Sequence, residues 1–72
     1  MMKVNMGALN TLLREKFDNN QAKMAEELAI SRYQLNTILN KNGKGAGKKV
    51  IGAIINFCEK NNYDFKDYIF LD

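Results

Sequence analysis

Arg32, Tyr33, Asn36 and Thr37 lie close together in the stretch Ser31-Arg-Tyr-Gln-Leu-Asn-Thr-Ile-Leu39. These side chains can address base edges. Arginine suits guanine, asparagine suits adenine, and a threonine methyl or an aromatic ring meets the methyl of thymine. On a helix, Leu35 facing inward carries Ile38 and Leu39 with it. Tyr33, Asn36, Thr37 and Asn40 then lie roughly opposite, and Arg32 projects from the front edge. The bland alternative is an ordinary polar surface on a small helical domain.

The front end of this helix is unusual. Ser31 is a good N-cap, and Gln34 completes an S/T-x-x-E/Q capping box. Gln34 therefore has two readings of equal weight: it reaches back to Ser31 or forward to a base. Arg32 in the first turn opposes the helix dipole, at a cost of about 0.3–1 kcal/mol. A negative groove would more than compensate, so that stability of the free chain is given up for binding.

A second set of residues suits phosphate. Lys48 and Lys49 open a later helix, again where cations are disfavoured. With Asn40, Lys41, Lys44 and the glycines between, they would form a cationic clamp rich in backbone N–H groups. The alternative is a solvated loop. The run Gly-Lys-Gly-Ala-Gly-Lys-Lys is not a P-loop. The residue six before Lys48 is Asn42, Lys49 stands where Ser or Thr is required, and a helix rather than a strand precedes the loop.

The charge pattern agrees with a polyanionic partner. The net charge is +3, but residues 28–58 contain Arg32, Lys41, Lys44, Lys48 and Lys49 and no acid. Clustering of one sign suggests a nucleic acid or another polyanion; a basic surface without a partner fits charge alone equally well.

The chain of 72 residues is read as one domain, residues 1–72, burying only about 60% of its unfolded surface. Cys58 has no partner for an intrachain disulfide, and with no histidine there is no metal-ligand set. No apolar run approaches the roughly 20 residues of a membrane span. The first ten residues lack the long apolar stretch of a signal peptide. Cytoplasm is the expected compartment.

Apolar spacing is helical nearly throughout. Leu9, Leu12, Leu13 and Phe17 mark a first helix; Asp18–Asn20 break it, and Asn20 can cap the next. Met24, Ala25 and Leu28 line a second helix starting near Gln21. Ala29–Ser31 make a tight turn. Leu35, Ile38 and Leu39 are the buried stripe of the third helix, and Asn40–Gly47 a flexible loop. Val50, Ile51, Ile54, Ile55, Phe57 and Cys58 give a broad apolar face on a fourth helix. A short fifth helix is expected over Phe65–Leu71, with Phe65, Tyr68 and Ile69 packing back. No period-two alternation is sustained. The expected fold class is all-α, with four or five helices. Cys58, Met24, Tyr63, Phe65 and Tyr68 read as packing residues; Phe70 and Leu71 are candidates for a self-association patch.

The two short helices and their three-residue turn have the proportions of a helix-turn-helix unit. Residues Gln21 to Leu39 resemble the helix-turn-helix of the Cro and lambda-repressor type. Ala25 stands where that family has a small residue. Met24, Leu28, Ile30, Leu35 and Ile38 fall on its five buried positions. More weakly, the whole chain fits the family's five-helix layout. The resemblance implies that Gln21 bonds a phosphate with help from the helix N-terminus, and it favours a DNA-facing Gln34 over a core one. Two features depart from the pattern. Ala29 replaces the usual turn glycine, which costs on the order of 1–2 kcal/mol in a left-handed conformation. The loop after the third helix is longer than usual.

The resulting expectation is a sequence-specific double-stranded DNA-binding protein, a small transcriptional regulator of the repressor kind. Arg32, Tyr33, Gln34, Asn36 and Thr37 would read bases; Gln21, Asn40, Lys41, Lys44, Lys48 and Lys49 would hold phosphates. A homodimer is expected at least on DNA, because one such domain reads few base pairs. The runner-up is a protein-interaction module on the same fold, such as an anti-repressor or antitoxin-like partner. RNA binding ranks third, since the exposed aromatics are too few for a stacking platform. No enzyme, cofactor, small-molecule substrate or membrane partner is expected.

Overall fold

The computed structural model describes residues 2–43 and 46–71, with Leu71 described by its backbone alone. Four helices and one 3₁₀ turn are bracketed by two short strands. The order is β1 (Met2–Val4), α1 (Met6–Phe17), α2 (Gln21–Leu28), α3 (Arg32–Asn40), α4 (Lys48–Lys60), a 3₁₀ turn (Phe65–Asp67) and β2 (Ile69–Leu71). The Cα radius of gyration is 10.8 Å, close to the roughly 11 Å of a compact domain this long. Among the described residues, no helix is long and apolar enough to cross a membrane.

The expectation of an all-α chain with a fifth helix over Phe65–Leu71 is corrected. Only Phe65–Asp67 is helical, as a single 3₁₀ turn; Ile69–Leu71 is a strand, antiparallel to Met2–Val4 in the register Met2↔Leu71, Lys3↔Phe70, Val4↔Ile69. The pairing places Val4 and Ile69 in the core. Lys3 and Phe70 lie on the opposite face of the two-stranded ribbon. Phe70 is accordingly exposed. Asn5 fastens this ribbon to α1. Its backbone N–H donates to Tyr68 O at 2.8 Å, its Nδ2 to Asp67 O at 3.1 Å, and its Oδ1 accepts from Ala8 N to cap α1.

Side-chain caps start α1, α2 and α3, and left-handed residues end α1 and α2. Asp18 and Asn19 both have positive φ and end α1, and the Asn19 N–H donates to Leu13 O at 2.9 Å. Asn20 Oδ1 accepts from Lys23 N at 3.1 Å and caps α2. The core is one apolar cluster that includes Leu9, Met24, Leu35, Ile38, Ile54 and Ile69. Leu35 and Ile38 anchor α3, and α2 packs against α1, α3 and α4. Phe17, Phe57, Tyr63 and Tyr68 form a chain of tilted rings with centroids 5.9–6.2 Å apart. Tyr63 and Tyr68 are thus packing residues, while Ile55 is only half-buried.

The connection between α2 and α3 decides how α3 is presented. Ala29 adopts the left-handed conformation, φ 58 and ψ 37. Its N–H donates to Glu26 O, and the Ile30 N–H donates to Ala25 O at 3.0 Å. That is the Schellman arrangement, normally completed by glycine. Ile30 is buried and clamps the turn to the core.

Candidate nucleic-acid interface

Burying Leu35 and Ile38 leaves the other side of α3 to solvent. Tyr33 is 79% exposed, a high value for so large an aromatic side chain. Arg32 and Asn36 are exposed, Asn40 is exposed at the last position of the helix, and Thr37 is half-buried. Tyr33, Gln34 and Thr37 border a shallow groove of about 100 Å³ with Ile38 and Val50. Val50 lies in the first turn of α4, directly after Lys48 and Lys49. Val50 thus sets the first turn of α4 beside α3, while the exposed Lys48 and Lys49 lie against the end of α2.

Both bonds of the capping box are made. Gln34 N donates to Ser31 Oγ at 3.0 Å, and Ser31 N donates to Gln34 Oε1 at 3.0 Å. Gln34 is half-buried, and its amide oxygen is committed to the cap; its Nε2 group is what it has left for a ligand. Arg32 follows the cap directly, with no acid in the first turn of α3.

Three amides form a row in which one bond crosses from α3 to α2 and one lies within α3. Asn36 Nδ2 donates to Gln21 Oε1 at 3.2 Å, and Asn40 Nδ2 donates to Asn36 Oδ1 at 2.8 Å. Gln21 is half-buried at the first position of α2. Its residue type and place were legible in sequence; its bond to Asn36, fifteen residues away, was not. The structure thus assembles Gln21, Asn36 and Asn40 into one group across two helices.

Lys41 is exposed in the turn after α3, held by its N–H donating to Thr37 O at 2.9 Å. Lys44 lies outside the described residues. Gly47 caps α4 without a side-chain bond, so the N–H groups of its first turn stay available beside Lys48 and Lys49. The two lysines also border an open groove of about 380 Å³ with Glu27, Asn56 and Lys60. Asn56 and Lys60 were missed in the sequence because they follow the apolar face of α4 without a motif of their own. A further groove of about 670 Å³ runs beside β1; it is lined by Gly43 and Phe70 among others and by none of the described base-reading or phosphate-binding side chains.

These elements define a mostly helical four-helix domain with a small terminal ribbon and a polar, partly cationic outer face on α3. No protein-family model, curated protein or solved structure matches the chain.

Proposed function

We propose that this chain is a sequence-specific double-stranded DNA-binding protein, a small transcriptional regulator of the repressor kind that uses α2 and α3 as a Cro-like helix-turn-helix. The observation that carries the reading is the outer face of α3. It is anchored from behind by Leu35 and Ile38, and it offers Arg32, Tyr33, Asn36 and Thr37 outward. Helices of 8 and 9 residues joined at a left-handed Ala29 support it, as does the acid-free basic stretch through residues 28–58.

In this reading α3 lies in the major groove. Arg32 donates to guanine, Asn36 addresses adenine, and Tyr33 and Thr37 contact thymine methyls. Lys41, Lys44, Lys48 and Lys49 neutralise phosphates and set the register of the helix, without carrying sequence information. One domain reads few base pairs, so a homodimer forms at least on DNA, with half-sites about 34 Å apart. The protein works by binding, in the cytoplasm, without cofactor or catalysis.

The test is binding to random duplex at low salt, followed by a salt titration. With about four cations on phosphates, log affinity should fall against log salt with a slope near −3.6 per protomer. Absence of binding to any duplex at low salt would instead favour a protein-interaction module with an acidic partner.

A further inference from the structure

The groove of about 380 Å³ between the end of α2 and the outer side of α4 has two kinds of lining. Leu28 and Phe57, both buried, and the half-buried Ala53 give it an apolar floor. Lys48, Lys49 and Lys60 stand exposed around it, against one acid, Glu27. Lys49, Asn56 and Lys60 follow one another at spacings of seven and four residues, which sets them along one side of α4. From Lys49 to Lys60 the helix rises roughly 16 Å, about three turns.

At two places on this groove the chain holds a residue that costs it stability. Ala29 has φ 58, a conformation that glycine adopts more easily. Ala29 is exposed and stands outside the core cluster, so its methyl does not repay the strain there. Gly52 is the reverse case. It lies inside α4, where alanine is the better helix former. A Cβ placed on Gly52 would meet nothing within 4 Å, so the fold itself does not require the glycine. Glycine at 29 and alanine at 52 would each suit the unbound chain better. Local rules broken twice at one place point to a function of that place.

We infer that this groove docks an acidic amphipathic helix of a partner protein. Apolar side chains of the partner, recurring at helical spacing, lie on Leu28, Ala29, Ala53 and Phe57. Its carboxylates pair with Lys49 and Lys60 over the three turns between them, and with Lys48. Gly52, which has no side chain, lets the partner backbone come close. A phosphate backbone would satisfy the lysines but has no apolar surface to lay on the floor, so the lining favours a peptide over a nucleic acid. The inference stands apart from the DNA-binding reading. Lys48 and Lys49 serve both, whereas Ala29, Gly52 and Lys60 belong to the groove alone and separate the two in experiment.

The test selects peptides on the wild-type protein from a displayed library of random sequences about 16 residues long, enough for four helical turns. Enriched peptides should combine Asp or Glu with Leu, Ile or Phe at helical spacing, and as synthetic chains they should bind more weakly as salt rises. Lys49→Ala and Lys60→Ala should each weaken that binding about three- to fivefold, and Lys49→Glu with Lys60→Glu should abolish it. Ala29→Gly should weaken it about threefold through the methyl removed. Gly52→Ala should weaken it about fivefold or more through the methyl added. Both of these changes should raise the melting temperature, and a merely structural role would not move binding and stability in opposite directions. Absence of acidic peptides from the enriched set, or enriched peptides indifferent to these changes, would overturn the inference. So would a Lys60→Ala variant that loses duplex affinity and keeps peptide affinity, which would make the groove an extension of the phosphate contacts. Self-association of wild type that Lys60→Glu abolishes would overturn it too, and give the groove to a second copy of the chain.

Discussion

Gln21, the first residue of α2, accepts a hydrogen bond from Asn36, on the second turn of α3, across 3.2 Å. The bond ties the two helices outside their apolar contact. Because Asn36 is exposed and Gln21 half-buried, water competes for the bond, and its net worth to folding is small, about 0.5 kcal/mol. Gln21→Ala should therefore leave the urea midpoint nearly unchanged while altering DNA binding. A loss of stability above about 2 kcal/mol would mean that the pair is a structural clamp.

Ala29 marks where the fold is strained. Its φ of 58 belongs to a conformation that disfavours a Cβ by about 1–2 kcal/mol, partly offset by the chain entropy that glycine adds to the unfolded state. Ala29→Gly should raise stability by about 1 kcal/mol and keep the Schellman bonds. Urea unfolding measures it, and a destabilised variant would show that the alanine methyl contributes a contact that outweighs the strain.

The two faces of α3 should respond in opposite ways. Leu35 is fully buried and Tyr33 is 79% exposed. Leu35→Ala should cost about 2–5 kcal/mol, enough to unfold much of so small a domain. Tyr33→Ala should change stability by less than about 0.5 kcal/mol while weakening affinity for the selected duplex. Thermal melts paired with binding measurements check both. A strongly destabilised Tyr33→Ala would mean that the ring supports the fold.

Alkaline pH should weaken the fold. Burial, with the charges of Asp64 and Asp67 adding to it, raises the Cys58 thiol above its ordinary 9.0. Burial, followed by Cys58 and Tyr63, raises the Tyr68 phenol above 10.0. Both groups stay neutral in the folded chain at a pH where the unfolded chain ionises. Their contribution is complete below the unfolded values and is lost as pH rises through the folded ones. The melting temperature should fall above pH 9, and Cys58→Ala should shallow the first part of that fall. A melting temperature independent of pH up to 10 would contradict this account.

The helices were legible because their signals are local. Leu9 to Phe17 and Val50 to Cys58 repeat at helical spacing, and Asn20 and Ser31 are caps that act on residues three positions away. The ribbon was not legible. Each strand has three residues, too few to show alternation, and its partner lies at the other end of the chain. Phe65, Tyr68 and Ile69 do have helical spacing, but cross-chain pairing and the burial of Val4 against Ile69 prevailed over it. The outer face of α3 followed from its buried face by elimination. The row Gln21, Asn36 and Asn40 did not, because its contacts depend on how α2 crosses α3.

Selection of duplexes from a random library by wild type and by Arg32→Ala tests the central claim most directly. Wild type should enrich a defined site, and Arg32→Ala should relax one position in each half-site with a loss of about 1–3 kcal/mol on the best sequence. No enrichment by wild type, or an enriched site that is the same when Arg32 is removed, would contradict the claim that the outer face of α3 reads DNA.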